Sequence, residues 1–342
     1  MEHWLTQVDD PAVLVTVAIV EGSGPREAGA CMLVTRAGQY DTIGGGHLEL
    51  CAVDLARAML DDASAGSARL ERYALGPTLG QCCGGVVHLA FEVVDAALAA
   101  VLAALRKQLH QGHGRQHDCW RLGAIDGAPA SLLLDAGGSV IAGHAAGSTA
   151  GLSYLPDSGA GIVRDADGRR WLLAPWRAPR PHLLLFGAGH VGTAIVRTLG
   201  ELPCRVLWID ERDDMFPVSA PANVVMEATD TPETLVAAAP PGASYLVLTH
   251  SHALDQRLAE AILARGDAGW FGLIGSATKR VQFERRLAAR GLPPARIAAM
   301  VCPIGLPGIR SKLPAVIAAS VCAQLLMVWE AQHHAAPLAT AS

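Results

Sequence analysis

The first clear pattern along the chain is a β-rich, largely apolar run, Val13 to Val20 with Thr16 inside it, that ends in Gly22-Ser23-Gly24-Pro25. A short apolar run closed by turn residues predicts a buried strand over Ala12 to Glu21. The same pattern predicts a strand over Ala30 to Thr35 that turns at Gly38 into another at Tyr40 to Ile43. Gly44, Gly45 and Gly46 then open a stretch with helical spacing, His47 to Asp61. Strands are predicted at Arg69 to Ala74 and Val86 to Glu92, on either side of Gly80-Gln81-Cys82-Cys83-Gly84-Gly85, with a helix over Asp95 to Leu109. From Gly112 to Trp176 short apolar runs alternate with glycine turns, which predicts antiparallel strands completing a first domain.

The pattern changes at the prolines 175, 179 and 181, which break helix and sheet alike. Residues 1–176 read as one domain, 177–181 as a linker and 182–332 as a second domain. His182 to Phe186 is continuously apolar, as a parallel strand covered on both faces requires. It runs into Gly187-Ala188-Gly189-His190-Val191-Gly192, a helix over Val191 to Leu199, and a strand over Cys204 to Ile209 that ends in Asp210. Further strands are predicted at Val224 to Met226, Ser244 to Thr249 and Trp270 to Ile274. The fold class is α/β: a mixed N-terminal domain followed by a Rossmann-like, doubly wound parallel sheet. The apolar run Leu313 to Trp329 contains Ser320 and Gln324 and is short for a comfortable membrane span, so it predicts a buried or dimer-interface helix.

Composition narrows the partners. In 342 residues, 51% are hydrophobic and 17% charged, enough for two cores, and a net charge of −5 without a basic run argues against a nucleic-acid binder. No basic, then apolar, leader opens the chain, and no membrane association is expected. Eight cysteines, two adjacent and the rest scattered, fit neither a disulfide scaffold nor a zinc ribbon. A reducing, cytoplasmic setting follows as the expectation.

The candidate chemistry falls in two places. In the second domain Gly187, Gly189 and Gly192, between strand and helix, form a phosphate turn. Asp210, 23 positions after Gly187, stands where an acid grips a ribose hydroxyl, and Arg212 is an alternative holder of a phosphate. Such domains bind NAD(P), another nucleotide or nothing. His250, His252 and Asp255 either line a pocket or hold a metal, and a strand-end loop capping the next helix is the plainer reading. Ser276 and Lys279, at a helix start, suit an anion. In the first domain, adjacent Cys82 and Cys83 lie between glycines, where packing has no use for them, and their thiolates are soft metal ligands and nucleophiles. Gly22 to Arg26 and Ile43 to Glu49 offer a second anion cradle, with Arg26 as a positive partner to Gly44, Gly45 and Gly46. Together these turns suggest a site for a phosphorylated, metal-bearing ligand.

In order, the stretches GSGPREAGACMLV (22–34), TIGGGHLE (42–49), GQCCGG (80–85), LLFGAGHVG (184–192), WIDERDDMFP (208–217), THSHALD (249–255), GLIGSATKR (272–280) and CPIGLPGIRSKLP (302–314) resemble the xanthine dehydrogenase accessory protein family, XdhC/CoxI. After Pro314, where that family commonly has an acid, Ala315-Val316 follow. The resemblance implies a cytoplasmic chaperone rather than an enzyme. Such a protein binds the molybdenum cofactor (molybdopterin), supports exchange of an equatorial oxygen for sulfur with a cysteine desulfurase, and delivers the product to the molybdenum subunit of apo-xanthine dehydrogenase. It also implies that Gln81, Cys82, Cys83 and Glu49 belong to the cofactor site, with Cys82 or Cys83 as the molybdenum contact. A homodimer through the helix after Leu313 is a further expectation. The fingerprint alone suggests an NAD(P)-dependent oxidoreductase, but no general acid is tied to a substrate pocket and the cysteine turn is left unexplained. A zinc hydrolase built on His250, His252 and Asp255 lacks identifiable further ligands.

Overall fold

The computed structural model describes residues 3–8, 11–62, 66–76, 84–110, 118–144, 159–177 and 181–335, so Gln81, Cys82 and Cys83 lie outside the described residues. The chain divides into two compact units, Glu2–Ala178 and Pro179–Ser342.

The first unit runs β1 (Ala12–Glu21), β2 (Cys31–Thr35), β3 (Gln39–Asp41), α1 (Gly46–Asp61), β4 (Ala68–Ala74), β5 (Val86–Val93), α2 (Ala96–His110), β6 (Cys119–Ala124), β7 (Ser131–Asp135), β8 (Val140–His144), β9 (Gly161–Arg164) and β10 (Arg170–Trp176). Two antiparallel sheets result, ordered β3-β2-β1-β5-β4 and β8-β7-β6-β10-β9. The largely apolar run of β1 has a direct cause: the strand is central and buried on both faces. Val13, Val15 and Val17 pack with Leu48, Ala52 and Val53 of α1, while Ala12 and Leu14 pack with Leu98, Val101 and Leu102 of α2. The short strand β3 stops at Asp41 rather than reaching Ile43. Asp41 takes a left-handed conformation (φ 62°), and its carboxylate accepts the Trp4 N–H at 3.0 Å.

A buried ion pair ties the two sheets together. Arg121 on β6 forks onto Glu92 on β5, with Nη1–Oε1 at 2.8 Å and Nη2–Oε2 at 2.6 Å, and both side chains are almost wholly buried. Burial works against the Arg121 charge, but the Glu92 carboxylate outweighs it and holds the guanidinium above its ordinary value. Room for the pair comes from Gly123, where a Cβ would collide with Glu92 Oε1.

Pro175 is no linker residue: it belongs to β10 and pairs in register with Trp120. β9 pairs with Arg170 to Leu173, so among the described residues Pro175 has a strand neighbour on one side alone, where a missing N–H is tolerated.

The second unit runs β11 (His182–Phe186), α3 (His190–Leu199), β12 (Arg205–Asp210), β13 (Val224–Ala228), α4 (Pro232–Ala238), β14 (Ser244–Val247), α5 (His252–Arg265), β15 (Trp270–Leu273), α6 (Ala277–Ala289), α7 (Pro294–Ala298) and α8 (Pro314–Ala335). Its sheet is parallel throughout, ordered β13-β12-β11-β14-β15. Leu183 and Leu185 face α3 and α8, and Leu184 and Phe186 face α5, which is why β11 is apolar at every position. Helix α8 is long and apolar enough by composition to cross a membrane, contrary to the expectation from its shorter apolar run. It packs instead with one face on this domain, burying Ala318, Val321, Cys322, Leu325 and Trp329 and leaving Met327 exposed.

Removal of one partner of the buried pair tests its role. Glu92→Ala is expected to lower the stability of the first unit by about 3–5 kcal/mol, since Arg121 is left buried and unpaired. The check is chemical denaturation followed by fluorescence of the buried Trp120 and Trp171. A Glu92→Leu, Arg121→Met double variant should recover most of that loss.

Candidate functional site

Three turns of the first unit gather at one end of its first sheet, where β1 and β3 end and β5 begins. Gly85 donates its N–H to the Ser23 carbonyl at 3.2 Å and lies so close that a Cβ would collide with it. Pro25 sits against Gly44 in the same way, and Arg26 Nη1 donates to the Thr42 carbonyl at 3.3 Å. Gly22–Arg26, Thr42–Glu49 and the end of the Cys82–Cys83 turn are thus neighbours. Gly76 and Gly84, the described residues on either side of that turn, lie side by side, with a methyl on Gly76 reaching 3.7 Å from the Gly84 Cα.

The structure corrects the reading of this turn as an open anion cradle. Gly44, Gly45 and Gly46 all have positive φ (122°, 74° and 67°), which only glycine adopts in succession without strain. The amides they turn inward are met by the chain's own carboxylate. Glu49 Oε2 accepts from Ile43 N at 3.0 Å, Gly45 N at 3.1 Å and Thr42 Oγ1 at 2.5 Å, while Oε1 accepts from Gln39 at 2.8 Å. Gly44 N donates to Thr42 Oγ1 at 2.9 Å. Glu49 therefore holds the turn and is not a free ligand-binding group. Partial burial pushes its carboxyl up, but the four hydrogen bonds outweigh burial and hold it below the ordinary range. Arg26 pairs with Glu27 at 2.9 Å on the surface beside this turn. Helix α1 begins at Gly46 with no side-chain cap hydrogen bond.

In the second unit the parallel sheet reverses its winding between β11 and β14, and the crevice outside their carboxyl ends is where such folds take a ligand. A narrow cleft opens there, lined by Gly187, Asp210, Glu211, Thr249, His250 and Leu254 among others. Asp210, expected to grip a ribose, is already engaged. Oδ2 accepts the Ala188 N–H at 2.7 Å and Arg212 Nη2 at 3.1 Å, and Oδ1 accepts Arg212 N at 3.0 Å and Nε at 2.9 Å. Burial raises the Asp210 carboxyl, but Arg212 and the two backbone donors outweigh it and hold it low. Sequence reasoning missed Glu211, Thr249 and Leu254, which line the cleft because they follow the ends of β12 and β14. The position after a strand-ending acid was the available signal.

The other predicted groups divide. His250 borders the cleft, whereas His252 begins α5 exposed to solvent. Asp255 is buried, accepting Thr249 Oγ1 at 2.7 Å, Thr249 N at 3.2 Å and Lys279 Nζ at 2.6 Å. Lys279 also donates to the Ile274 carbonyl at 2.9 Å, so its ammonium braces the sheet end rather than awaiting an anion. Ser251 caps α5 and Ser276 caps α6, accepting from Leu254 N and Lys279 N. Among the described residues no group of three His, Cys, Asp or Glu is placed to hold a metal. Cys31, Cys119, Cys204, Cys302 and Cys322 are buried and Cys51 is half-buried. Burial pushes the Cys119 and Cys204 thiols up to about 12 and that of Cys322 to about 11, too high for ready thiolate chemistry.

Residues 183–325 match the model of the XdhC Rossmann domain, and residues 5–74 match that of the XdhC and CoxI family, together more than half of the chain. The N-terminal match ends before Cys82 and Cys83. A relative from Bacillus subtilis strain 168, described as a probable subunit of xanthine dehydrogenase, is 24% identical over 338 residues, with 94% of each chain covered. The uncharacterized protein YqeB of Escherichia coli K12 is 29% identical over 168 residues, covering 49% of this chain but only 31% of that relative's length. A solved structure of a xanthine dehydrogenase from Bacillus halodurans shares the fold, with a TM-score of 0.75 at 21% identity over 98% of this chain and 97% of the other.

The role of Glu49 sets a pH dependence. Because its folded pKa is lowered, its contribution is complete above the unfolded value, about 4.3, and is lost as pH falls through the folded value. Glu49→Gln is expected to cost about 1–2 kcal/mol at pH 7 and to flatten the loss of stability below about pH 4. Thermal denaturation of both proteins between neutral and acid pH measures it; parallel curves would remove the assignment.

Proposed function

The chain belongs to the XdhC and CoxI family, and from that premise we propose that it is a maturation protein for a xanthine dehydrogenase that carries the molybdenum cofactor as cargo. The reading is of a binding and delivery protein rather than an enzyme in its own right. Its substrate is the molybdenum-bearing molybdopterin, its supplier of sulfur a cysteine desulfurase, and its acceptor the molybdenum subunit of apo-xanthine dehydrogenase.

The observation that carries this reading is the gathering of Gly22–Arg26, Thr42–Glu49 and Gly84–Gly85 at one sheet end. The pairing of Glu21 with Val86 brings Gly22 to Gly85, and the contacts of Pro25 with Gly44 and of Arg26 with Thr42 add the third segment outside the strand ladder. Gly84 and Gly85 follow Cys82 and Cys83 in sequence, and Gly85 packs on Gly22 and Ser23, in the same group of segments as Arg26 and the uncapped start of α1. A thiolate is a soft donor for molybdenum, and a guanidinium near an uncapped helix start suits the pterin's phosphate. Since Glu49 takes the inner glycine amides, the phosphate is assigned to Arg26 and the α1 start. Sulfuration then needs the cofactor held open to a persulfide donor. A homodimer is proposed through the exposed side of α8, where Met327 is exposed, with the exposed Leu313 just before the helix.

Full-length protein purified from a host that makes molybdopterin is expected to retain the cofactor, read as fluorescence of the oxidised pterin and as molybdenum by elemental analysis. The Cys82→Ala, Cys83→Ala double variant should lose most of the bound molybdenum and fail to activate apo-xanthine dehydrogenase. Retention unchanged in the double variant would overturn the cysteine assignment.

A further inference from the structure

We propose that the first unit binds a monovalent cation in a cleft between its two sheets, held by the Ser131 hydroxyl and the carboxylates of Glu92 and Asp95. The inference is independent of the cofactor-delivery reading, since none of these residues lies in the turns assigned to the molybdenum cofactor.

The cleft opens where the β6–β7 hairpin meets the end of β5 and the start of α2. It measures about 30 Å³, room for roughly two waters, and its lining includes Ser67, Glu92, Asp95 and Ser131. Ser131 is 4% exposed, and its Oγ has no hydrogen-bond partner. A buried hydroxyl left unmet costs on the order of 1–3 kcal/mol, so the position calls for a ligand from solvent.

Strand register fixes where that hydroxyl points. Ser131 pairs with Gly123, and directly paired residues put their side chains on one face of the sheet. Arg121 shares that face, two residues along β6, and a Cβ on Gly123 would collide with Glu92 Oε1. Leu133, two residues along β7, packs on the same side with Leu98 of α2. Ser131 is therefore directed toward β5 and α2, into the space that the absent side chain of Gly123 leaves beside Glu92.

The charge balance selects the ligand. Each Glu92 oxygen accepts one Arg121 N–H, which leaves each a further acceptor position. Asp95 Oδ1 accepts Leu98 N at 2.8 Å at the start of α2, and Oδ2 has no partner among the described residues. Glu92, Asp95 and Arg121 together carry one net negative charge. A monovalent cation neutralises it, whereas a divalent ion would leave the cleft positive, and an anion would meet two carboxylates. Sodium and potassium share this chemistry.

Thermal denaturation of the full chain in KCl, NaCl and choline chloride at equal ionic strength tests the site. In the cation that binds, the wild-type transition of the first unit should lie about 3 °C above that in choline. The salt that gives the larger rise identifies the ion. Asp95→Asn keeps a helix-capping residue and should lose the difference. Ser131→Ala should change sign: it melts at or above wild type in choline, where the hydroxyl is unmet, and below wild type in the favoured cation. Crystals soaked in thallium(I) should show an anomalous peak beside Ser131 Oγ. Equal wild-type transitions in all three salts overturn the proposal, as does a Ser131→Ala effect of one sign and size in each, which means water only. A cation effect that survives in both variants, or no thallium peak in the cleft, overturns it as well.

Discussion

Backbone N–H groups turned inward at strand ends need acceptors, and this chain meets them with its own carboxylates. Glu49 closes the Thr42–Gly45 turn, Asp210 accepts from Ala188 within the phosphate turn, and Asp255 accepts from Thr249 at the end of β14. Leaving a buried amide unmet costs on the order of 1–3 kcal/mol, so each carboxylate is as much a part of its turn as the glycines are. The positions that look most like ligand sites are, in the folded chain, already held from within.

This constraint separates the two units by the kind of charge that completes them. In the first, Arg121 neutralises Glu92 where two antiparallel sheets meet, with both side chains almost wholly buried. In the second, Asp210 is buried but its arginine is not, and Asp255 is braced by Lys279, which is itself mostly buried. A pair with both members buried serves architecture, because separating it strands a charge in an apolar interior. A pair with one exposed member can be exchanged at low cost.

The cysteines divide along a similar line. Cys119, Cys204 and Cys322 lie in apolar cores that hold them protonated, and they act as small packing groups. Cys82 and Cys83, outside the described residues, are the pair to which the proposed function gives the soft chemistry.

Periodicity and punctuation were enough for the elements. Apolar runs meant strands covered on both faces, as at β1 and β11, and Gly187-Ala188-Gly189 between strand and helix meant a parallel, Rossmann-like sheet. These are local consequences of side-chain alternation and of the conformations glycine allows, so they are written in consecutive residues. Pro175 shows the limit: a proline reads as a break until the neighbouring strand is seen to end before it. Partnership belonged to the tertiary structure alone. Glu49 and Lys279 looked like free charges suited to a ligand, and Asp210 like a ribose acceptor. Whether a charge is free depends on which groups, tens of residues away, fold against it, and a buried charge takes its partner from whatever the fold brings near. The sequence by itself determined the strands, the turns and the two-part layout, while the fold decided which of its polar residues are left to bind anything else.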